Sequence, residues 1–353
     1  MQWPVRAGEE PGAPAGEKRF FADGGFFTPD RKARFVAPQP PALQESTSAA
    51  FPFRLNTGRI RDQWHTMTRT GQSPRLAAHL AEPFVEVHPG DAGTMGLADG
   101  GFAKVSTAHG ACILKVMVTD NQQPGSLFVP IHWSDETASC ARVGNLVAPR
   151  TDPHSGQPEA KATPAAIAPV DFALRGFART RSAPTLPDGT WWAKVAVAEG
   201  IEYRLATNLG PLFWHDFAYR WIGQDAPLAE RLDGTLYRAA AFLDGHLDGC
   251  VCVAPAEDTA PQWDLAGLAA AAAAEAGGRR IPKVEACDYI GETEQVVCAC
   301  FKVGLDAVRK AVHSGGATTV GDIGRTLGAG TNCGSCLPEL KRIIVDERIA
   351  HPL

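Results

Sequence analysis

Four cysteines near the C-terminus have the spacing of a metal-cluster site. They form two close pairs, Cys298 with Cys300 and Cys333 with Cys336, and 32 residues separate the pairs. Four thiolates suit either a structural Zn²⁺ or an iron–sulfur cluster. Structural zinc usually takes pairs with two to four residues between the ligands, and the first pair here is tighter. The spacing favours an iron–sulfur cluster and leaves structural zinc as the alternative.

Local patterns predict that a small all-α domain, residues 294–347, positions these cysteines. The second pair stands immediately before the last predicted helix, whose N-terminus carries free N–H groups and partial positive charge that favour thiolates. Three glycines let the backbone approach a cluster closely, namely Gly328, Gly330 and Gly334. The predicted helices span residues 305–313, 320–327 and about 338–346.

A second candidate site is a polar stretch at residues 55–66. Gly58 allows close approach of backbone to a ligand, and the forked donors of Arg59 suit a phosphate. Trp64 and His65 offer stacking and hydrogen bonding to a heterocycle. Taken alone, this stretch indicates only a polar loop beside a strand. Short strands joined by glycine turns predict that this stretch belongs to a β-barrel over 51–165. The strand patterns are at 84–87, 102–107, 111–119 and 126–131, with a turn or short helix at 88–92.

Further polar residues of the barrel have two interpretations each. Asp152 could accept two hydrogen bonds from a guanine edge, or cap the turn at Asp152-Pro153. Lys161 could pair with a diphosphate, or be an ordinary exposed lysine. His132 and Trp133 follow a predicted strand; they could face a substrate funnel, although a place in the core is favoured.

The remaining segments carry less chemistry. Residues 1–50 are rich in Pro, Gly and Ala and predict an extended segment whose phenylalanines pack on another domain or chain. Residues 166–290 predict a middle α+β region with strands at 236–243 and 250–254, and an alanine-rich helix that Asp264 caps. Cys250 and Cys252 alternate along a strand, which predicts two buried core thiols.

Composition limits the class of protein. Hydrophobic content of 44%, charged content of 21% and a net charge of −5 are typical of globular domains and give no reason to expect nucleic acid or a membrane as partner. There is no apolar run of a length that spans a bilayer and no signal-peptide pattern, which predicts a cytoplasmic location. In that reducing compartment, nine cysteines favour metal ligation over disulfides.

Two resemblances sharpen these predictions. Residues 297–304 and 329–340 resemble the bacterioferritin-associated-ferredoxin-like (BFD-like) [2Fe–2S] domain, and all four ligand positions are present. Residues 53–165 resemble the C-terminal molybdopterin-guanine-dinucleotide-binding domain of molybdenum oxidoreductases, over residues 57–66, 88–100 and 152–161. That family implies a double-psi β-barrel that binds part of the bis-molybdopterin guanine dinucleotide cofactor. One departure is Gly144, which stands where the family often has a cofactor-contacting Asn.

The resemblance implies a set of site residues. The expected cofactor-binding residues are Thr57, Gly58, Arg59, Trp64, His65, Thr66, His132, Asp152 and Lys161. The expected metal ligands are Cys298, Cys300, Cys333 and Cys336. We expect no catalytic residue in this chain.

Together, the two domains make the chain similar to the C-terminal part of a bacterial assimilatory nitrate reductase, which reduces nitrate to nitrite. Family members carry further domains upstream that hold an N-terminal [4Fe–4S] cluster and most of the molybdenum cofactor. We therefore expect a truncated product or half of a split gene, inactive alone. Its expected partners are the missing N-terminal catalytic portion or a partner chain, and an electron donor (ferredoxin, flavoprotein or NADH-linked subunit). The alternatives are a non-catalytic iron–sulfur electron-transfer or assembly protein and a zinc-stapled structural protein.

Overall fold

The structure, a computed structural model, covers most of the chain. The residues that it describes are 19–35, 37, 42–153, 155–181, 183–197, 200–223, 228–243, 246–256, 295–314 and 316–350. The chain divides into two compact units, Met1–Leu43 and Gln44–Leu353. The helix predicted after Asp264 lies outside the described residues.

The described part of the first unit consists of turns. Phe21 stacks on Phe26 with ring centroids 4.8 Å apart, and Arg31 pairs with Asp23 across the same turn. Phe27 remains 79% exposed. The packing of this segment on another domain or chain stays a prediction.

The second unit begins with a closed six-stranded barrel, which confirms the predicted barrel. The strand order around it is β1-β5-β2-β4-β3-β6, with parallel pairing of β1 with β5 and of β2 with β4. The finer assignment as a double-psi barrel stays a prediction. The strands are β1 (Phe53–Gly58), β2 (Phe84–Val87), β3 (Phe102–Ser106), β4 (Ala111–Val118), β5 (Ser126–Pro130) and β6 (Thr163–Val170).

The barrel core follows from alternation along its strands. In β4, buried and half-buried residues alternate almost throughout, as a strand with one face towards a core requires. Leu55, Val85, Leu114 and Leu127 point inwards and are fully buried. Burial of each such side chain contributes roughly 1.5–3 kcal/mol, so these residues hold the barrel together.

Two short helices, α1 (Pro74–Ala77) and α2 (Pro89–Met95), and 3-10 turns at Thr70–Gln72 and Val143–Asn145 lie in the barrel connections. The second helix confirms the prediction of a turn or short helix after His88. The His88 ring accepts a hydrogen bond from the Gly90 N–H at 3.1 Å, and proline stands in the first turn. The helix ends at Gly96, whose φ of +66° is left-handed.

The middle region forms a six-stranded antiparallel sheet of order β10-β11-β12-β7-β9-β8. The strand predicted at 236–243 is confirmed, and the one at 250–254 is part of a longer strand. The strands are β7 (Leu174–Thr180), β8 (Trp191–Val197), β9 (Gly200–Thr207), β10 (Leu228–Asp233), β11 (Leu236–Leu243) and β12 (His246–Pro255).

Helix α3 (Pro211–Ile222) covers one face of this sheet. Its Trp214 is fully buried and Phe217 nearly so, and both pack against sheet residues. On β12, Cys250 and Cys252 are fully buried in a separate apolar cluster, which confirms the prediction of core thiols. Burial raises the pKa of each to about 12, so both stay protonated thiols.

The middle sheet packs directly on the barrel. Trp191 of β8 is 3% exposed and donates its indole N–H to the Ile113 carbonyl of β4 at 2.9 Å. Its ring meets that of Phe102 edge-on at 4.7 Å. The barrel core therefore continues into the middle region without a gap.

The C-terminal region is a hairpin followed by three helices around one core. The helices confirm the three predicted ones, whereas the sequence analysis missed the hairpin, so the region is not all-α. The elements are β13 (Val296–Cys298), β14 (Val303–Gly304), α4 (Leu305–His313), α5 (Val320–Leu327) and α6 (Leu337–Ala350). Among the described residues, no helix has both the length and the apolar character that a membrane span needs.

Candidate functional site

The two cysteine pairs that are close in sequence, Cys298 with Cys300 and Cys333 with Cys336, converge in space. We call each of these pairs a cysteine arm. Cys300 Sγ and Cys333 Sγ lie 3.4 Å apart, and the Cys336 thiol is within hydrogen-bonding reach of Cys298. Two sulfurs on one tetrahedral metal, each about 2.3 Å from it, are about 3.8 Å apart, whereas disulfide sulfurs lie about 2.05 Å apart. The geometry therefore suits metal ligation. Each pair of neighbouring sulfurs contains one cysteine of the first arm and one of the second.

Two contacts join the four thiols pairwise, Cys300 with Cys333 and Cys298 with Cys336. Within the described part of the chain, no three His, Cys, Asp or Glu side chains are gathered so that they could hold one metal ion. A mononuclear Cys₄ zinc site needs all four sulfurs around one centre. A two-iron cluster needs two thiolates at each iron, which is the arrangement of the pairs.

The two pairs differ in their exposure to solvent. Cys298 and Cys336 are each 2% exposed, whereas Cys300 is half-buried and Cys333 is exposed. Phe301, between the arms, is 49% exposed. The site thus has a buried edge and an edge that is open to solvent.

The pKa values of Cys333 and Cys336 follow this difference in exposure. Burial, and then the neighbouring Cys298, raise the pKa of Cys336 to about 11. The Ser335 hydroxyl, 3.1 Å from Cys333 Sγ, lowers the pKa of Cys333. Cys333 is therefore the thiol of these two that loses its proton more readily, and a bound cation would be needed to deprotonate Cys336 near neutral pH.

Glycine conformations bring the backbone to these sulfurs, as the sequence predicted. Gly330 has a φ of +84°, and a Cβ there would lie 2.7 Å from Leu337 Cδ2. Its N–H donates to the Cys336 sulfur, a contact that stabilises a thiolate. Gly334, between the second pair of cysteines, has a φ of +75°. A side chain at either position would disturb the cysteine loop.

The predicted dinucleotide-binding residues begin at the end of β1. Thr57 Oγ1 donates to the Ala160 carbonyl at 2.7 Å, and Lys161 Nζ donates to the Thr57 carbonyl. The Lys161 ammonium therefore lies beside the Thr57-Gly58-Arg59 segment, which would suit a diphosphate. A Cβ at Gly58 would lie 2.8 Å from the Phe128 ring, so packing alone already requires glycine there.

The loop after Arg59 combines backbone strain with exposed side chains. Asp62, His65 and Met67 have positive φ values of 68°, 25° and 62°, which cost roughly 1–3 kcal/mol each and collect at ligand sites. Trp64, His65 and Thr66 are exposed, and the first two rings meet edge-on at 4.6 Å. Trp64 and His65 therefore present aromatic rings to solvent, next to the exposed Thr66.

His132 lies beneath this loop and is fully buried. Its Nε2 accepts a hydrogen bond from the Ile60 N–H at 3.0 Å, so its Nδ1 carries the proton and donates to the His65 carbonyl. Burial lowers the pKa of His132, which keeps the ring neutral. Both ring nitrogens are used within the chain, so His132 positions the loop. Trp133 is 2% exposed, in line with the core alternative.

Asp152 acts as a turn cap in this structure. Its Oδ1 accepts from the Ser155 N–H at 2.7 Å and from the Ser155 hydroxyl at 2.9 Å. This is the capping alternative of the two predicted roles, and the guanine contact stays a prediction. Asn145, next to the departure at Gly144, accepts at Oδ1 from Arg142 at 3.0 Å.

A charged network that the sequence analysis missed joins the two candidate sites. Arg61 of the strained loop donates from Nη2 to the Val297 carbonyl at 2.7 Å and pairs with Glu339 of α6 at 3.1 Å. Asp62 pairs with Arg61 at 3.1 Å. His79 lies 3.4 Å from Asp62 and 3.3 Å from Glu339. The barrel loop is thus fastened to both cysteine arms.

Comparison with protein families matches both regions. Residues 53–164 match the molydopterin dinucleotide binding domain, which is the barrel without most of β6. Residues 296–346 match the BFD-like [2Fe–2S] binding domain, which contains the hairpin and the three helices. The chain therefore carries a domain for each of the two predicted cofactors.

Comparison with characterised proteins finds nitrate reductases. A nitrate reductase of Klebsiella oxytoca is 37% identical over 98% of this chain and 38% of that protein. The chain resembles the C-terminal part of a nitrate reductase. One from Shewanella frigidimarina is 31% identical over 50% of this chain and 20% of that protein. The assimilatory nitrate reductase catalytic subunit of Bacillus subtilis is 30% identical over 48% of this chain and 23% of that protein.

The chain is therefore similar to the C-terminal part of nitrate reductases. The chain spans between about a fifth and two fifths of the length of these relatives. The predicted resemblance and the two predicted cofactor-binding domains are therefore confirmed.

Proposed function

We propose that this chain is the C-terminal portion of a molybdenum-dependent assimilatory nitrate reductase of the cytoplasm. It binds part of the bis-molybdopterin guanine dinucleotide and carries a [2Fe–2S] cluster on Cys298, Cys300, Cys333 and Cys336. The remaining domains and the molybdenum ligand come from a larger N-terminal portion or partner chain. An external ferredoxin, flavoprotein or NADH-linked subunit delivers electrons.

The strongest support for this proposal is the convergence of the two cysteine arms beside the dinucleotide-binding loop. The open edge, with Cys300 and Cys333, suits contact with a donor protein. The buried edge, with Cys298 and Cys336, faces away from solvent. Arg61 joins the cluster domain to the loop that carries Trp64 and His65, so the two candidate sites are in direct contact.

The chain's own residues hold and orient the cofactors. Lys161 and Arg59 offer cations to a diphosphate, and Trp64 offers an aromatic face to a heterocycle. His132 holds the backbone of this loop through Ile60 and His65. When bound, the molybdenum cofactor supplies two-electron reduction of nitrate with transfer of one oxygen atom. No side chain of this chain is assigned to bond breaking.

Complementation tests this function. The chain is co-expressed with the Klebsiella oxytoca nitrate reductase from which the matching C-terminal region has been deleted, and nitrate reduction is measured with reduced viologen. We expect turnover with both chains together and none with either alone. A Cys298→Ser variant of this chain tests whether the cluster domain matters for delivery from a ferredoxin donor.

Two results would count against the proposal. Nitrate turnover by this chain alone contradicts the dependence on a larger portion. A chain that binds a [2Fe–2S] cluster but neither associates with the truncated relative nor supports its activity indicates a non-catalytic electron-transfer or assembly protein instead.

A further inference from the structure

One buried guanidinium contacts both cysteine arms of the cluster site. Arg61 Nη2 lies 2.7 Å from the Val297 carbonyl, immediately before Cys298. The same nitrogen lies 3.1 Å from Glu339 Oε2, three residues after Cys336. The Arg61 side chain is only 18% exposed. The two arms are separated by more than thirty residues in sequence, so this single side chain fixes their spacing from outside the cluster domain.

The guanidinium is itself held in place from the barrel side. Its Nε lies 3.1 Å from Asp62 Oδ2, and Asp62 has a φ of +68°. His79 Nδ1 accepts a hydrogen bond from Arg61 Nε at 3.4 Å, and His79 Nε2 lies 3.3 Å from Glu339 Oε2. The side chains of Asp62, His79 and Glu339 are 9%, 8% and 17% exposed. A charge with this little exposure is weakly screened by solvent and salt.

We propose that Arg61 is a positioning residue of the [2Fe–2S] site that also raises the reduction potential of the cluster. The inference rests on the proposed cluster and adds a role for a residue outside the cluster domain. A cluster held by four thiolates is anionic and gains one more negative charge on reduction. A nearby buried cation therefore stabilises the reduced form more than the oxidised form. Glu339 has the opposite effect, and Arg61 offsets it.

The test is a reductive titration of the reconstituted full chain with dithionite, followed by EPR. Dithionite supplies one electron per cluster, and no bond forms or breaks in the protein. For Arg61→Gln we expect reduction to become roughly tenfold less favourable, which is a shift of about 59 mV to a more negative potential for a one-electron couple. Arg61→Lys keeps the charge and should shift the potential less. Glu339→Gln should shift it in the opposite direction.

Arg309→Gln is the matched control. It removes the same charge, from a residue within the cluster domain itself, and also breaks an ion pair with α6, at 2.9 Å to Glu347. Glu347 lies ten residues beyond Leu337, about 15 Å further along the helix axis from the cysteine end. We expect an unchanged potential.

If Arg61 positions the cysteine arms, its replacement should also weaken their hold on iron. Arg61→Gln should release iron to a chelator several-fold faster than wild type, with Arg61→Lys intermediate and Arg309→Gln unchanged. If Arg61→Gln cannot be reconstituted, Arg61→Lys and Glu339→Gln still report the two effects separately.

The outcomes separate this inference from the proposed function. The inference is overturned if Arg61→Gln and Glu339→Gln keep both the cluster content and the reduction potential of the wild type. The proposed function is unaffected by that result. Wild-type chain that takes up zinc, without iron and sulfide, overturns both. Shifts of opposite sign in Arg61→Gln and Glu339→Gln support the role of Arg61.

Discussion

His132→Leu tests whether a buried histidine holds the loop of residues 59–66, which we propose binds the dinucleotide. The wild-type ring accepts from the Ile60 N–H and donates to the His65 carbonyl. Leucine has a similar volume and can replace neither hydrogen bond. The Ile60 N–H then loses its acceptor at a buried position. The strained loop also loses the hydrogen bond from His132 to the His65 carbonyl.

The magnitude follows from these two hydrogen bonds. An unsatisfied buried N–H costs about 1–3 kcal/mol, and the second hydrogen bond contributes about 0.5–1.5 kcal/mol. We therefore expect the free energy of local opening of residues 59–66 to fall by about 2–4 kcal/mol. Because each 1.4 kcal/mol is a factor of ten, amide exchange there should accelerate roughly 100-fold.

Hydrogen exchange followed by mass spectrometry measures this change on a peptide that covers residues 58–67. His109→Leu is the control, because the His109 ring is partly exposed and lies 3.9 Å from Glu45, away from this loop in sequence. It should leave exchange of the peptide unchanged. If His132→Leu also leaves exchange of Ile60 unchanged, the positioning role of His132 is wrong.

The remaining predictions concern acidity, the cluster and one glycine. Because the pKa of His132 lies below its usual 6.5 in the folded protein, the stability it contributes is complete above that pH and is lost as the pH falls below 6.5. The protection factors of the loop amides, which correct for the intrinsic pH dependence of exchange, should fall in that window, and His132→Leu should remove this fall. Cys336→Ser should abolish iron and sulfide binding, whereas Cys140→Ser, at a half-buried cysteine outside the site, should leave both unchanged. Gly330→Ala forces a φ of +84° on a residue with a Cβ and should destabilise the cluster domain by about 1–3 kcal/mol, seen as earlier thermal loss of the cluster absorption. Gly316→Ala, where a Cβ meets no atom closer than 3.6 Å, should melt like wild type.

Local signals in the sequence were enough to predict several elements. The helices Leu305–His313 and Val320–Leu327 carry clear apolar periodicity and glycine ends, and Phe84–Val87 is a short apolar strand. The cysteine spacing predicted the convergence of the arms, because two cysteine pairs can hold one metal site only if they meet in space. The sequence also predicted that the backbone at Gly330 approaches the site closely, and its N–H donates to the Cys336 sulfur.

Long-range contacts could not be predicted in this way. The hydrogen bond from Arg61 to Val297 joins residues 236 positions apart, and those of His132 reach back 67 and 72 positions. An arginine in a polar loop and a histidine after a strand are common, so neither type nor spacing marks them. Most of the middle sheet was missed as well, because only two of its strands have strong local patterns, although three of its strand pairs are tight hairpins.

The most direct test of the cluster assignment is metal and sulfide analysis of the anaerobically reconstituted chain, combined with EPR after reduction. We expect two irons and two acid-labile sulfides per chain and the EPR signal of a reduced [2Fe–2S] cluster, all lost in Cys298→Ser. A chain that holds one zinc ion, without iron or sulfide, would contradict the assignment.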